Sequence, residues 1–171
     1  METCTISIKS SGDEATVTIS GFINEGCELF KTDFSKYSKV TIDFENTTFI
    51  NSLGIRMWMD WLRSDKVLGQ TKLILINCVP SLVAQFNMIK GFLTENCEVQ
   101  SLYADYYFED SSEEHRVLLT RGEEFLPETN GQPGWVKIAE EIETDKGEEL
   151  ILDTIKEKYF AFLGQVKFQE P

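Results

Sequence analysis

Histidine is almost missing from this chain, with His115 standing alone among 171 residues. It sits between Glu114 and Arg116, and no serine or cysteine can be assigned to it as a catalytic partner, so it reads as a surface residue of a strand. GxSxG, Walker A and GxGxxG patterns are absent too. That removes the common signatures of acyl transfer and phosphate cradling and argues against an enzyme. No run reaches the ~18 apolar residues that a membrane-crossing helix needs. The opening METCTISIKSSG has none of the basic-then-apolar layout of a secretory leader, so the expected compartment is the cytoplasm. Positive charge is scarce: 16 basic residues face 29 acidic ones, for a net charge of -13. Such a surface repels phosphate backbones and anionic lipid, which excludes nucleic acid and direct membrane insertion as expected partners. Cysteine is sparse and confined to the first hundred residues. Cys4, Cys27, Cys78 and Cys97 match neither a metal knuckle nor a CxxC pair, so the expectation is reduced, mostly buried thiols, with no metal and no cofactor.

What is present suffices for a core. Hydrophobic residues make up 42% of the chain and aromatics 12%, enough apolar surface to offset chain entropy at this length. The charge is unevenly spread. Residues 1–100 hold 9 basic and 12 acidic side chains, whereas residues 101–171 hold 7 and 17. With the cysteines stopping at the same place, this implies a boundary near residues 103–105 and two parts, 1–102 and a small acidic, β-rich region 103–171.

Within the first part, Thr5-Ile6-Ser7-Ile8 and Ala15-Thr16-Val17-Thr18-Ile19 flank the turn-forming Ser11-Gly12-Asp13 and predict a hairpin. Leu29, Phe30 and Phe34 lie near helical spacing, and residues 40–44 return to strand alternation. A helix is expected over residues 52–66, led by a serine and free of proline. It runs through a Leu68-Gly69 turn into a buried strand at 72–76. Pro80 opens the next helix, whose apolar face is Leu82, Val83, Phe86 and Ile89, with Gly91 at its exit. A last strand at 97–102 completes the order ββαβαβαβ. In the acidic region, Val117-Leu118-Leu119 and Val136-Lys137-Ile138 read as short antiparallel strands around the turn-rich FLPETNGQPGW. Leu150-Ile151-Leu152 and Tyr159-Phe160-Ala161-Phe162-Leu163 supply further apolar pieces.

Three segments carry a resemblance. They are Phe49-Ile50-Asn51-Ser52-Leu53-Gly54 between a strand and an apolar helix, Gly21-Phe22-Ile23-Asn24 after the early strand, and Val79-Pro80-Ser81-Leu82 leading to Ile89-Lys90-Gly91-Phe92. In order and spacing, residues 1–102 resemble the STAS family of anti-sigma-factor antagonists. The resemblance implies an α/β fold, a mixed sheet with helices packed on one face, and a serine displayed at a helix N-terminus. It also implies a regulatory, protein-binding role in signal transduction. The matching serine is Ser52, the candidate phosphoacceptor; in the family an anti-sigma factor that is itself a serine kinase phosphorylates this position and the complex breaks. Asn51 and Asn24 stand where the family usually carries aspartate, and Leu53 where it carries a small hydroxyl residue. Two readings of Ser52 remain open, a modified serine and a plain helix cap. A non-phosphorylated scaffold subunit of a transport or signalling complex is the alternative function.

The helix itself points to binding. Stepped at about 100° per residue, Ile55, Trp58, Met59 and Leu62 form one apolar arc, while Leu53, Met57 and Trp61 form another. One arc buries the helix against a sheet, so the second is expected to meet a partner protein, a second copy of the chain, or the C-terminal region. The expected partner-binding residues are thus Asn24, Asn51, Leu53, Gly54, Met57 and Trp61. Residues 106–114 and Thr129-Asn130-Gly131 faintly resemble the knuckles of a zinc ribbon without its cysteines, and without thiolates no metal is expected there.

Overall fold

The computed structural model describes residues 4–67 and 71–171, which fall into two units, Met1–Gln100 and Ser101–Pro171. The expected Leu68-Gly69 turn lies outside the described residues. The fold is mixed α/β, with several sheets, more strand than helix, and three α-helices among the described residues. No helix of the described residues is long and apolar enough to cross a membrane.

The first unit opens with strands β1 (Thr5–Ser11) and β2 (Glu14–Ile23), an antiparallel hairpin. Gly12, at φ 61°, supplies the positive dihedral that a two-residue hairpin turn requires. Strands β3 (Lys39–Ile50), β4 (Lys72–Ile76) and β5 (Cys97–Val99) extend the sheet in the order β1-β2-β3-β4-β5, with every pairing after the hairpin parallel. Alternation decides which face is buried: Ala15, Val17 and Ile19, then Val40, Ile42 and Phe44, then Leu73 and Leu75 are all enclosed.

Two helices provide the crossovers, α1 (Ser52–Leu62) between β3 and β4 and α2 (Pro80–Met88) between β4 and β5. Trp58 of α1 lies at the centre of an aromatic cluster. Its ring meets Phe44 at 6.1 Å, Trp61 at 5.5 Å and Phe92 at 5.7 Å, and Phe92 in turn meets Phe86 of α2 at 5.6 Å. The indole N–H donates to the Phe92 carbonyl at 2.8 Å, so this buried tryptophan leaves no polar atom unpaired.

Several expected boundaries shift for local reasons. Helix α1 stops at Leu62, four residues early, because the Arg63 amide turns back to the Asp60 and Trp61 carbonyls and the Ser64 hydroxyl donates to Trp61 O at 2.7 Å. The helical spacing of Leu29 and Phe30 resolves into one 3-10 turn, Glu28–Lys31. The strand expected at 97–102 is two strands, β5 and β6 (Ser101–Phe108), and the second belongs to the other unit.

The second unit pairs β6 with β7 (Glu114–Thr120) and β11 (Glu149–Leu152), and β11 with β10 (Glu141–Glu143), into an antiparallel sheet ordered β10-β11-β6-β7. A smaller sheet joins β8 (Phe125–Leu126), β9 (Gly134–Lys137) and β12 (Val166–Gln169). The apolar runs around Val117 and Val136 are therefore strands of different sheets and do not pair with each other. Asn130 and Gly131, both at positive φ, form the two-residue turn between Thr129 and Gln132 that an Asn-Gly pair favours. The short helix α3 (Lys156–Tyr159) precedes the buried Phe160 and Leu163. His115 lies exposed on β7, its ring edge against Phe108.

The acid surplus of this unit has a local cost. Glu143 lies directly across from Glu149 in the β10/β11 ladder, and Glu109 donates its amide to the Glu149 carbonyl. Glu109, foremost through a side-chain hydrogen bond and then through its charge, holds the Glu149 carboxyl above the ordinary range, with smaller pushes from desolvation, Glu141 and Glu143. A carboxylate whose folded pKa is raised contributes stability fully below its unfolded pKa and loses it as pH rises through the folded value. Glu149→Gln is therefore expected to raise the melting temperature at neutral pH. Thermal melts should show the gain vanish below about pH 4, where the carboxylates of both forms are protonated.

Candidate functional site

The chain around Ser52 is organised by the last four residues of β2 and β3. Strand β3 carries two extra residues relative to β2, at shifts between Thr18 and Ser20 and between Gly21 and Phe22. These irregularities bring Phe22 opposite Phe49 and Ile23 opposite Ile50. The Phe22 and Phe49 rings stack with centroids 5.6 Å apart and planes 9° from parallel, and Phe49 remains 49% exposed.

Beyond Ile50 the chain turns directly into α1. Asn51 has the extended backbone of a cap residue, and its side-chain oxygen accepts the Gly54 amide at 2.7 Å. Its own amide donates to Ile23 O at 3.1 Å, which ties the helix start to the end of β2. Ser52 is thus the first residue inside the helix and not its cap, which corrects the capping role considered for it. Two adjacent residues can both cap, and which one does is set by where the backbone turns helical. Among the described residues the Ser52 side chain is exposed and makes no hydrogen bond, and the amides of Ser52 and Leu53 are likewise uncommitted. No acidic residue occupies this first turn. Leu53 is 51% exposed beside it.

Two of the residues expected at a partner surface are enclosed instead. Gly54 is buried where α1 crosses β2: a Cβ there would stand 2.6 Å from the Ile23 carbonyl oxygen and 3.1 Å from an Ile50 side-chain carbon. Its task is close approach of helix to strand. Gly54→Ala must displace backbone, and the expected loss is about 1–3 kcal/mol, offset by less than ~1 kcal/mol of helix propensity. A denaturant titration would measure it.

Trp61 is the second correction. It is 2% exposed, with its ring edge-on to Phe34 at 5.9 Å and its N–H on Thr32 O at 3.3 Å. The buried arc of α1 is Gly54, Trp58, Trp61 and Leu62, about 100° wide. It runs between the two arcs read from the sequence, so there is one enclosed face with half-exposed margins. Met57 lies on such a margin. With Phe30, Asp60, Trp61, Ser64 and Lys66 it lines a small groove of about 170 Å³.

Asn24, half-buried, shapes the loop after β2. Its side-chain oxygen accepts the Gly26 amide at 2.8 Å and its carbonyl accepts the Cys27 amide at 3.1 Å. Cys27 is bonded to Cys4, with Cα atoms 5.2 Å apart, so two of the four cysteines are not the reduced thiols expected. The hairpin register is the reason. Pairing of Thr5 with Ser20 carries Cys4 alongside the end of β2, where the Asn24 turn brings Cys27 back, and a 23-residue spacing shows none of this. Cys78 and Cys97 are free; burial raises both thiol pKa values, with Asp43 adding to the rise at Cys78.

The Phe22/Phe49 stack is the part of this edge that sequence reasoning missed. Both residues lie within the segments that carry the resemblance, but only the two bulges align them. No protein-family model matches this chain, and no curated protein matches it.

Proposed function

We propose that the chain is a STAS-like regulatory binding module whose partner is a protein, and that phosphorylation of Ser52 releases that partner. The observation that carries this reading is an exposed, unbonded serine hydroxyl at the first turn of α1, next to the exposed Leu53. A phosphate on Ser52 would meet two uncommitted amides at the positive end of the helix, so the modified chain stays folded. The same charge of about -1.5 to -2 would be left without water wherever a partner covers this first turn. Folding is spared and binding is lost.

Topology supports the family resemblance. Both crossovers, β3-α1-β4 and β4-α2-β5, step the same way across the sheet, and the right-handed rule then puts both helices on one face. The partner suited to this edge is a protein with an apolar patch, an anti-sigma-factor kinase being the family's example. A second reading, the non-phosphorylated scaffold, is favoured by the Phe30, Met57 and Trp61 groove, which lies on the same helix away from Ser52.

The two readings separate in one experiment. Wild type, Ser52→Ala and Ser52→Asp are immobilised, exposed to extract of the native cells, and the retained proteins identified. Switching predicts a protein held by wild type and Ser52→Ala and lost by Ser52→Asp. Equal retention by all three would establish the scaffold instead.

A further inference from the structure

The bonded pair Cys4 and Cys27 lies where the proposed recognition edge and the groove of α1 share one anchor. Cys27 is fully buried and Cys4 half-buried. The Cys27 amide closes the Asn24 turn, while its carbonyl accepts the Phe30 amide at 3.2 Å and starts the 3-10 turn that carries Phe30 into the groove. The rest of the loop is held from the other side. Lys66 donates to Phe30 O at 2.9 Å, Trp61 to Thr32 O at 3.3 Å, and the Phe34 amide to Lys66 O at 2.9 Å. Residues 24–27 have no comparable tie to α1, and Glu25 and Gly26 are exposed. Beside the turn's own hydrogen bonds and the burial of Cys27, this near half is tied covalently to the start of β1.

We propose that the Cys4–Cys27 bond is a redox-controlled clasp that sets the order of residues 24–27. Closing it forms one S–S bond and removes a proton and an electron from each thiol. A low-molecular-weight disulfide accepts the electrons and leaves as two thiols, and a dithiol reductant reverses the exchange. Cys4, at the half-exposed end of β1, is the sulfur that an exchanging thiol reaches. Cys78 is enclosed and stays a bystander. The open form keeps the sheet, because all seven β1/β2 residue pairs remain, but frees the Asn24 turn. That this turn borders a recognition edge rests on the function proposed above; the clasp itself does not.

Thiol counting and hydrogen exchange on the full chain test it. Protein purified without reductant should titrate two thiols in denaturant and yield a peptide linking Cys4 to Cys27, and four thiols should titrate after dithiothreitol. Reduction should speed amide exchange in residues 24–27 at least tenfold, with β3 and β4 unchanged. Cys4→Ser should exchange like the reduced protein under both conditions. Four thiols in air-exposed, unreduced protein would overturn the proposal, as would equal exchange in both states or a reductant response retained by Cys4→Ser. None of these readouts uses a partner or a phosphate, so failure of Ser52 switching and failure of the clasp are distinguishable.

Discussion

Trp58→Ala is expected to lower stability by about 3–5 kcal/mol, the range for removing a large aromatic from a packed core. The side chain is 2% exposed and contacts Phe44 on β3, Trp61 on its own helix and Phe92 after α2, so its loss opens a cavity between three elements at once. The Phe92 carbonyl also loses the indole N–H, leaving a buried acceptor without its donor, which costs about 1–3 kcal/mol where water cannot reach it. Trp58→Phe keeps most of the volume and forfeits only the hydrogen bond, so it should fall well short of the alanine variant. Urea titrations of the three proteins measure both steps. A loss under ~1 kcal/mol for alanine would mean that α1 is not packed through Trp58.

Ser52→Asp is expected to weaken the partner complex about 30-fold or more, or roughly 2 kcal/mol, by placing an ionised group where the partner must exclude water. Aspartate carries one charge, and phosphate carries nearly two with three acceptor oxygens, so the modified protein should bind more weakly still. Stability should move the other way. A carboxylate in the first turn of a helix gains about 0.3–1 kcal/mol from the dipole, and the Ser52 and Leu53 amides are free to receive it. Lost binding with an unchanged or slightly raised melting temperature is the signature, and it sets Ser52→Asp apart from Gly54→Ala, which loses stability first. A titration calorimeter and a thermal melt on the same samples read both quantities.

The core of the first unit could be read from sequence where one periodicity ruled. Alternation in residues 40–44, the β-branched run at 15–19 and the apolar run at 72–76 locate strands of the buried sheet, and Pro80 with Gly91 brackets α2 closely. Legibility failed where the outcome depends on pairing or on angle. The bulges of β3 have no local signature, so Phe22 and Phe49 gave no sign that they would stack. On α1, helical spacing divides seven apolar residues into two arcs, and the dividing line falls through the middle of the buried one, between Trp58 and Trp61. The motif puts Gly54 with the binding residues, whereas its close approach to the Ile23 carbonyl makes it a packing residue. Asn51 and Ser52 are both good caps, and the polypeptide uses the first. The Cys4–Cys27 bond follows from strand register, which spacing along the chain does not encode. In the second unit, apolar runs located strands but not their partners, and residues 117–119 and 136–138 ended in separate sheets.

These corrections narrow the proposed edge to the exposed or half-buried Asn24, Asn51, Ser52 and Leu53 and, at the groove, Met57. They also change how it is held. Gly54 sets the distance between helix and strand, Asn51 caps and ties the first turn to Ile23, and the clasp at Cys27 steadies the neighbouring loop. Under the proposed function, a serine presented on so constrained a corner would convert a change of charge there into a change of partner, with little cost to the fold.

Phosphate mapping on the chain isolated from its own cells addresses the central claim most directly. The account predicts a phosphorylated peptide with the modification on Ser52, in a fraction that changes with growth condition. A Ser52 peptide that is unmodified under all conditions sampled would contradict it.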